Sequence, residues 1–210
     1  MPDYGTINRD YGIQLVKTDP ETDTGIYMLN FMKYRETAVY AEGSDTAVSG
    51  READDRYAPT DVLAAIGARV CFLADVVDAS EDWDRIAVVR YANRRSFVEM
   101  QNRDDFQKKH VHKEAGMDHT TIMGTVPAAG LPVVARPNRL LLEAWKGAAP
   151  KPVIEGATSA FSVEGTIIGD GRAWDGVRYT EVGADVDVDL SGATPEHLLV
   201  LVKPVIERWQ

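Results

Sequence analysis

GIYMLNFMK, Gly25–Lys33, decides how this chain is built. Its alternation places Ile26, Met28, Asn30 and Met32 on one face and Tyr27, Leu29 and Phe31 on the other. Strand side chains alternate with period two, so apolar residues on both faces demand cover on both sides. The segment reads as a central strand between two layers. Asn30 interrupts one face, and a polar amide on a buried face needs a hydrogen-bond partner.

Working outward, residues 1–24 are polar and turn-rich and read as an N-terminal arm with a short strand at Gly12–Lys17. A long polar stretch from Glu36 to Arg56 reads as a loop. Then Pro59 marks a helix start, Val62, Leu63 and Ile66 form its stripe, and Gly67 stops it. Ala68–Val77 and Trp83–Tyr91 read as strands, Arg94–Met100 and Asp104–Glu114 as helices, and His119–Val126 as a closing strand. The order β, α, β, β, α, β predicts an α+β fold, the ferredoxin-like antiparallel sheet with both helices on one face. Its other face is bare and apolar, so a second sheet is expected to cover it.

Residues 128–139 read as a linker between a domain at 25–127 and a β-rich extension at 140–210. The extension holds strand signals at Arg139–Trp145, Ala160–Ile168, Trp174–Val182 and His197–Val205. The hairpin around Trp83-Asp84 has an echo around Trp174-Asp175. That echo suggests a degenerate second ferredoxin-like half; chance likeness between two hairpins is the alternative. Both tryptophans read as core anchors.

Composition narrows the function. The chain has 210 residues and a formal net charge of −10, and an acidic surface repels nucleic-acid phosphates and anionic membranes. No stretch approaches the ~18 apolar residues of a membrane span. The single cysteine, Cys71, sits in the apolar run Val70–Leu73 and reads as a buried hydrophobe. With no basic-then-apolar leader at the start of the sequence, a cytoplasmic location is expected. No dinucleotide fingerprint, P-loop, nucleophile elbow or C-x-x-C is present, and no cofactor is expected.

DDFQKKHVHKEAGMDHTT, Asp104–Thr121, gathers His110, His112 and His119. On a helix His110 and His112 are separated by roughly 200°, so they do not form a metal pair of the i, i+3 or i, i+4 kind. Phe106 and His110 share one face, which places His110 against the sheet and His112 on the solvent side. A histidine on an apolar face is often a satisfied core residue. Its functional reading is a general base kept neutral by partial desolvation. Arg90, on the face of Ile86 and Val88, needs a carboxylate, either Asp75 or one carried by a ligand. Tyr34 and Tyr57 flank the long loop and read as cleft-mouth residues.

MLNFMKYRE, SGREADDRYAP, AIGARVCF and DWDRIAVVRYANRRSFVEMQNRDDFQKKHVHKEAG, in that order, resemble the DUF1330-like proteins of the dimeric α/β-barrel superfamily. The resemblance implies two ferredoxin-like sheets packed face to face, usually across a homodimer, with a ligand cleft between sheet and helices. The helix bearing His110 is also similar to that of antibiotic-biosynthesis-type monooxygenases and haem degraders. On that likeness His110 is the active-site histidine and Asn30 the first-strand asparagine. Met100 stands where the haem degraders carry tryptophan, which argues against haem degradation, and Lys113 stands where DUF1330-like proteins often carry arginine. The resulting expectation is a small cofactor-independent enzyme that moves a proton on an aromatic or polyketide-like carbonyl compound, as isomerase, cyclase, lyase or monooxygenase. Asn30 and His110 would do the chemistry, with Met28, Met32, Tyr34, Tyr57, Arg90, Phe97, Met100 and His112 around the substrate. The alternatives are a non-catalytic binding or scaffold protein and, more remotely, a haem-binding protein.

Overall fold

The computed structural model describes residues 4–41, 47–128 and 139–209. Its elements are β1 (Thr6–Ile7), α1 (Arg9–Lys17), β2 (Ile26–Tyr34), α2 (Gly50–Tyr57), α3 (Thr60–Ala65), β3 (Arg69–Ala79), β4 (Arg85–Tyr91), α4 (Arg94–Gln101), α5 (Asp104–Gly116), β5 (Met117–Pro127), β6 (Arg139–Trp145), β7 (Thr158–Gly169), β8 (Gly176–Val182) and β9 (His197–Glu207). The strands run antiparallel in the order β1-β7-β5-β2-β4-β3-β9-β6-β8. A further pairing of β7 with β8, from Thr158–Thr180 to Ser162–Gly176, joins the ends. The result is a closed barrel of eight strands, with the two-residue β1 appended to β7.

This overturns the expected fold class. The chain is not a ferredoxin-like sheet that meets a second sheet across a dimer. β3 pairs with β9 and β5 with β7, so residues 139–207 supply the missing wall from within the chain. Sheet closure, rather than face-to-face packing of two open sheets, covers the bare apolar face and leaves no long edge. Nor is the C-terminal part a second ferredoxin-like half. It contributes four strands but no helix among the described residues. The echoed hairpins exist as β3–β4 and β7–β8, and Trp83 and Trp174 are both buried in the barrel core. The expected linker at 128–139 falls almost wholly outside the described residues.

Two local expectations also change. Gly12–Lys17 belongs to helix α1, because Asn8 accepts a hydrogen bond from the Tyr11 amide (3.1 Å) and Tyr11 and Leu15 bury one face at i, i+4. The polar stretch before Tyr57 contains α2, opened by a capping box. Ser49 Oγ accepts from the Glu52 amide at 3.2 Å and Glu52 accepts from the Ser49 amide at 2.8 Å.

β2 behaves as its two-faced sequence requires. Tyr27, Leu29 and Phe31 join the barrel interior with Phe72, Ile86, Val88, Leu142, Phe161, Tyr179 and Trp209. Ile26 and Met28 face outward and pack with Phe97, Met100 and Phe106 of the helices. Each fully buried large apolar side chain contributes about 1.5–3 kcal/mol. The helices are tied down by close backbone contact. Arg35 N–H donates to the Gly116 carbonyl at 2.9 Å, and Gly50 N–H donates to the Arg35 carbonyl at 3.0 Å. A Cβ at Gly50 would collide with the carbonyl oxygens of Arg35 and Gly116, so glycine is what lets α2 and α5 meet. Gly116→Ala is therefore expected to lower unfolding free energy by about 1–3 kcal/mol. Urea denaturation of the variant checks it; an unchanged midpoint would show that α2 and α5 can part without cost.

Candidate active site

A cavity of about 800 Å³ lies between the outer face of β2, β3 and β4 and the helices. Its size suits a small organic ligand. The sheet floor carries Met28, Asn30, Met32, Ala87 and Val89, placed there by strand alternation, and Val70 and Leu73 of β3, which share a face across the register shift between Val70 and Phe72. Phe97 and Met100 enter from α4, and Phe106, His110 and Lys113 from α5. Spacings of three and four residues put the α5 set on one face. Tyr4 from the N-terminal arm and Tyr57 from α2 complete the polar part of the wall.

His110 is mostly shielded from solvent. Its ring stacks on Phe106 with centroids 5.3 Å apart, and Tyr57 meets it edge-on at 6.3 Å. Burial, helped by the positive charge of Lys113, holds its pKa below the ordinary histidine value; Glu114 pulls the other way. The Glu114 carboxylate is 3.6 Å from Nδ1, and Tyr4 Oη is 3.1 Å from Nε2. A proton on Nδ1 faces the carboxylate, which makes Nε2 the acceptor of the Tyr4 hydroxyl.

Asn30 is 9% exposed, and its Nδ2 donates to the Met28 carbonyl at 2.9 Å and, more weakly, to Ala87 at 3.5 Å. Those bonds use its N–H groups and leave Oδ1 for the cavity. Oδ1 is thus left as an acceptor for a ligand hydroxyl.

Lys113 is 6% exposed, with Nζ 5.3 Å from the Tyr57 ring centroid. Desolvation lowers its pKa, and Asp54 opposes this only at a distance. The Asp54 carboxylate is committed elsewhere: Tyr34 Oη donates to it at 2.6 Å, and Arg85 Nη1 lies 3.5 Å away. Arg85 also meets Asp55 at 2.9 Å and Asp75 at 3.4 Å, a cluster that fastens α2 to the barrel.

Of the residues singled out from sequence, Met28, Asn30, Met32, Tyr57, Phe97, Met100 and His110 converge on this cavity. Tyr34, Arg90 and His112 do not line it. Tyr34 stands behind the wall as the partner of Asp54. Arg90 follows the inward face of β4, and the carboxylate expected for it, Asp75, binds Arg51 and Arg85 instead. His112 Nδ1 is 2.8 Å from Tyr40 Oη on the far side of α5. His119 packs against Trp83. No group of three or more metal-ligating side chains assembles among the described residues.

Sequence reasoning missed Lys113, Arg85, Asp54 and Tyr4 as wall residues. Lys113 was within reach, since it continues the Phe106–His110 stripe by three residues. Tyr4 had no local signal, because only folding brings the arm across 106 residues to His110.

No family model and no curated protein matches the chain. Among solved structures, a protein of unknown function from Rhodopseudomonas palustris superimposes with TM-score 0.50 at 20% identity, covering 58% of this chain and 94% of that one. The same protein in methylated form gives TM-score 0.51 at 21% identity, with 59% and 94% covered. A chlorite dismutase-like protein gives 0.45 at 14% identity, with 87% and 95% covered. At such identities the Rhodopseudomonas likeness concerns the fold alone. The resemblance to DUF1330-like proteins rests on the sequence segments.

Lys113→Met should stabilise the fold near neutral pH, by an amount on the order of 1 kcal/mol. The lysine's proton affinity is lower in the fold than in the unfolded chain, so its penalty is complete at low pH. The penalty fades as pH rises from the lowered folded value towards the ordinary lysine value. The stability difference between variant and native chain, followed by urea denaturation across pH, should therefore shrink with rising pH. A difference that grows with pH would show the lysine to be stabilised as a cation.

Proposed function

We propose that this protein is a small enzyme that moves a proton on an apolar carbonyl compound held between the barrel and its helices. One observation carries the reading: a largely desolvated imidazole, hydrogen-bonded to a buried phenol, facing an 800 Å³ cavity with apolar walls. Such an imidazole stays neutral at cellular pH and can accept a proton. Met28, Met32, Phe97 and Met100 would take the flat apolar body of the substrate. Asn30 Oδ1 would orient a hydroxyl group. Tyr57, which has no protein hydrogen-bond partner among the described residues, would donate to the carbonyl oxygen as charge builds there. The proton would leave carbon for the Tyr4–His110 pair, with the phenol passing it to Nε2. Isomerases, cyclases, lyases and cofactor-independent monooxygenases share this first step, and the sequence resemblance supports the same range. The lone buried Cys71 fits a reducing cytoplasm. Among the described residues no helix is long and apolar enough to cross a membrane.

A second reading has its own support. Both ring nitrogens of His110 already face protein groups, as expected of a packed histidine in a passive binding protein. Hydrogen–deuterium exchange separates the two. Native protein should accelerate loss of the α-proton from an aryl methyl ketone that binds it. His110→Gln should slow that exchange by about 10²–10⁴-fold while ligand affinity persists. Equal exchange rates in the two proteins would leave only binding.

A further inference from the structure

Lys113 has no role in the proton transfer just described, and its setting is unlike that of the lysines paired at the surface. Lys33 pairs with Asp82 and Asp84, Lys109 with Asp61, and Lys146 with Glu196. Lys113 has no carboxylate within ion-pair distance among the described residues, yet it is almost fully buried. Holding an uncompensated ammonium there opposes folding, and methionine would continue the apolar stripe of α5 without that cost. The amine therefore needs a chemical reason. It opens into the cavity one turn beyond His110, and the Tyr57 ring stands beside both groups, 5.3 Å from Nζ and 6.3 Å from the imidazole.

We propose that Lys113 captures the carbonyl group of a bound aldehyde or ketone as an iminium ion. The assignment rests on the cavity being a carbonyl-compound site. Nζ attacks the carbonyl carbon, the C=O π pair moves to oxygen, and the proton shed by nitrogen reaches that oxygen to give the carbinolamine. A further proton converts the hydroxyl to water, which leaves as the nitrogen lone pair forms the C=N bond. His110 is placed to carry these protons. The Tyr57 face stabilises the cationic product. Desolvation favours the neutral amine, which is the nucleophilic form. An iminium also draws electrons from the neighbouring carbon, so it strengthens the acidity of the C–H that His110 is proposed to address.

The full chain is incubated with trans-cinnamaldehyde and sodium cyanoborohydride, and the reduced adduct is located by peptide mass mapping. Binding of the same probe is followed by thermal shift. Lys113 should be modified at least about ten-fold faster than any surface lysine. Lys113→Met and Lys113→Arg should both lose that adduct; the arginine keeps the charge but forms no stable reduced adduct. His110→Gln should still be labelled, more slowly. Saturable probe binding without preferential modification of Lys113 overturns the iminium and leaves the proton-transfer reading standing. Failure of trans-cinnamaldehyde to bind, together with failure of the protein to accelerate α-proton exchange of the aryl methyl ketone, removes the carbonyl site itself.

Discussion

Strand β2 buries Tyr27, Leu29 and Phe31 inside the barrel and Ile26 and Met28 beneath the helices. Water can be kept from both faces only if a closed sheet stands on one side and a helical layer on the other. Everything else in the first 128 residues is arranged around that demand. β4 and β5 flank β2 with unbroken register over most of its length, and the helices return to cover its outer face. The cavity exists because this cover is incomplete. Asn30 and Ala87 are among the sheet residues that line it.

Charge is distributed unevenly around that space. Arg85 is buried but surrounded by Asp54, Asp55 and Asp75, so its desolvation is offset and the cluster acts as a fastening between α2 and the barrel. A similar arrangement occurs on the opposite side, where Glu143 is held by Arg178 and His197. Lys113 has no carboxylate partner among the described residues and His110 only the exposed Glu114, and burial shifts both towards their neutral forms. Arg85 and Asp54 reach the cavity already paired, whereas His110 and Lys113 are not matched in that way. That contrast, more than any motif, separates the site from the scaffold.

Part of the site was legible because helix and strand periods are local. Met28, Asn30 and Met32 share a face by alternation, and Phe106 and His110 share one by helical spacing; that the two faces meet at one cleft is what the family resemblance implied. The capping box Ser49–Glu52 was equally local but lay inside a polar stretch that resembled a loop. Arg90 misled for a physical reason. Its alternation with Ile86 and Val88 was sound, but the neighbour that claims Asp75 is Arg85, which opposes it across the β3–β4 pair.

By itself the sequence determined β2 to β5, α3, α4 and α5, the two-sided burial of β2 and the inward face of α5, because each depends on residues only a few positions apart. Only the tertiary structure decided that the sheet closes within one chain through β3–β9, β5–β7 and β7–β8. Only it placed Tyr4 on His110 and left Lys113 without a counter-ion among the described residues. Strand pairing and ion pairing join residues a hundred positions apart, and hydrophobic periodicity is silent about which distant partner satisfies a face once that face is known to need one.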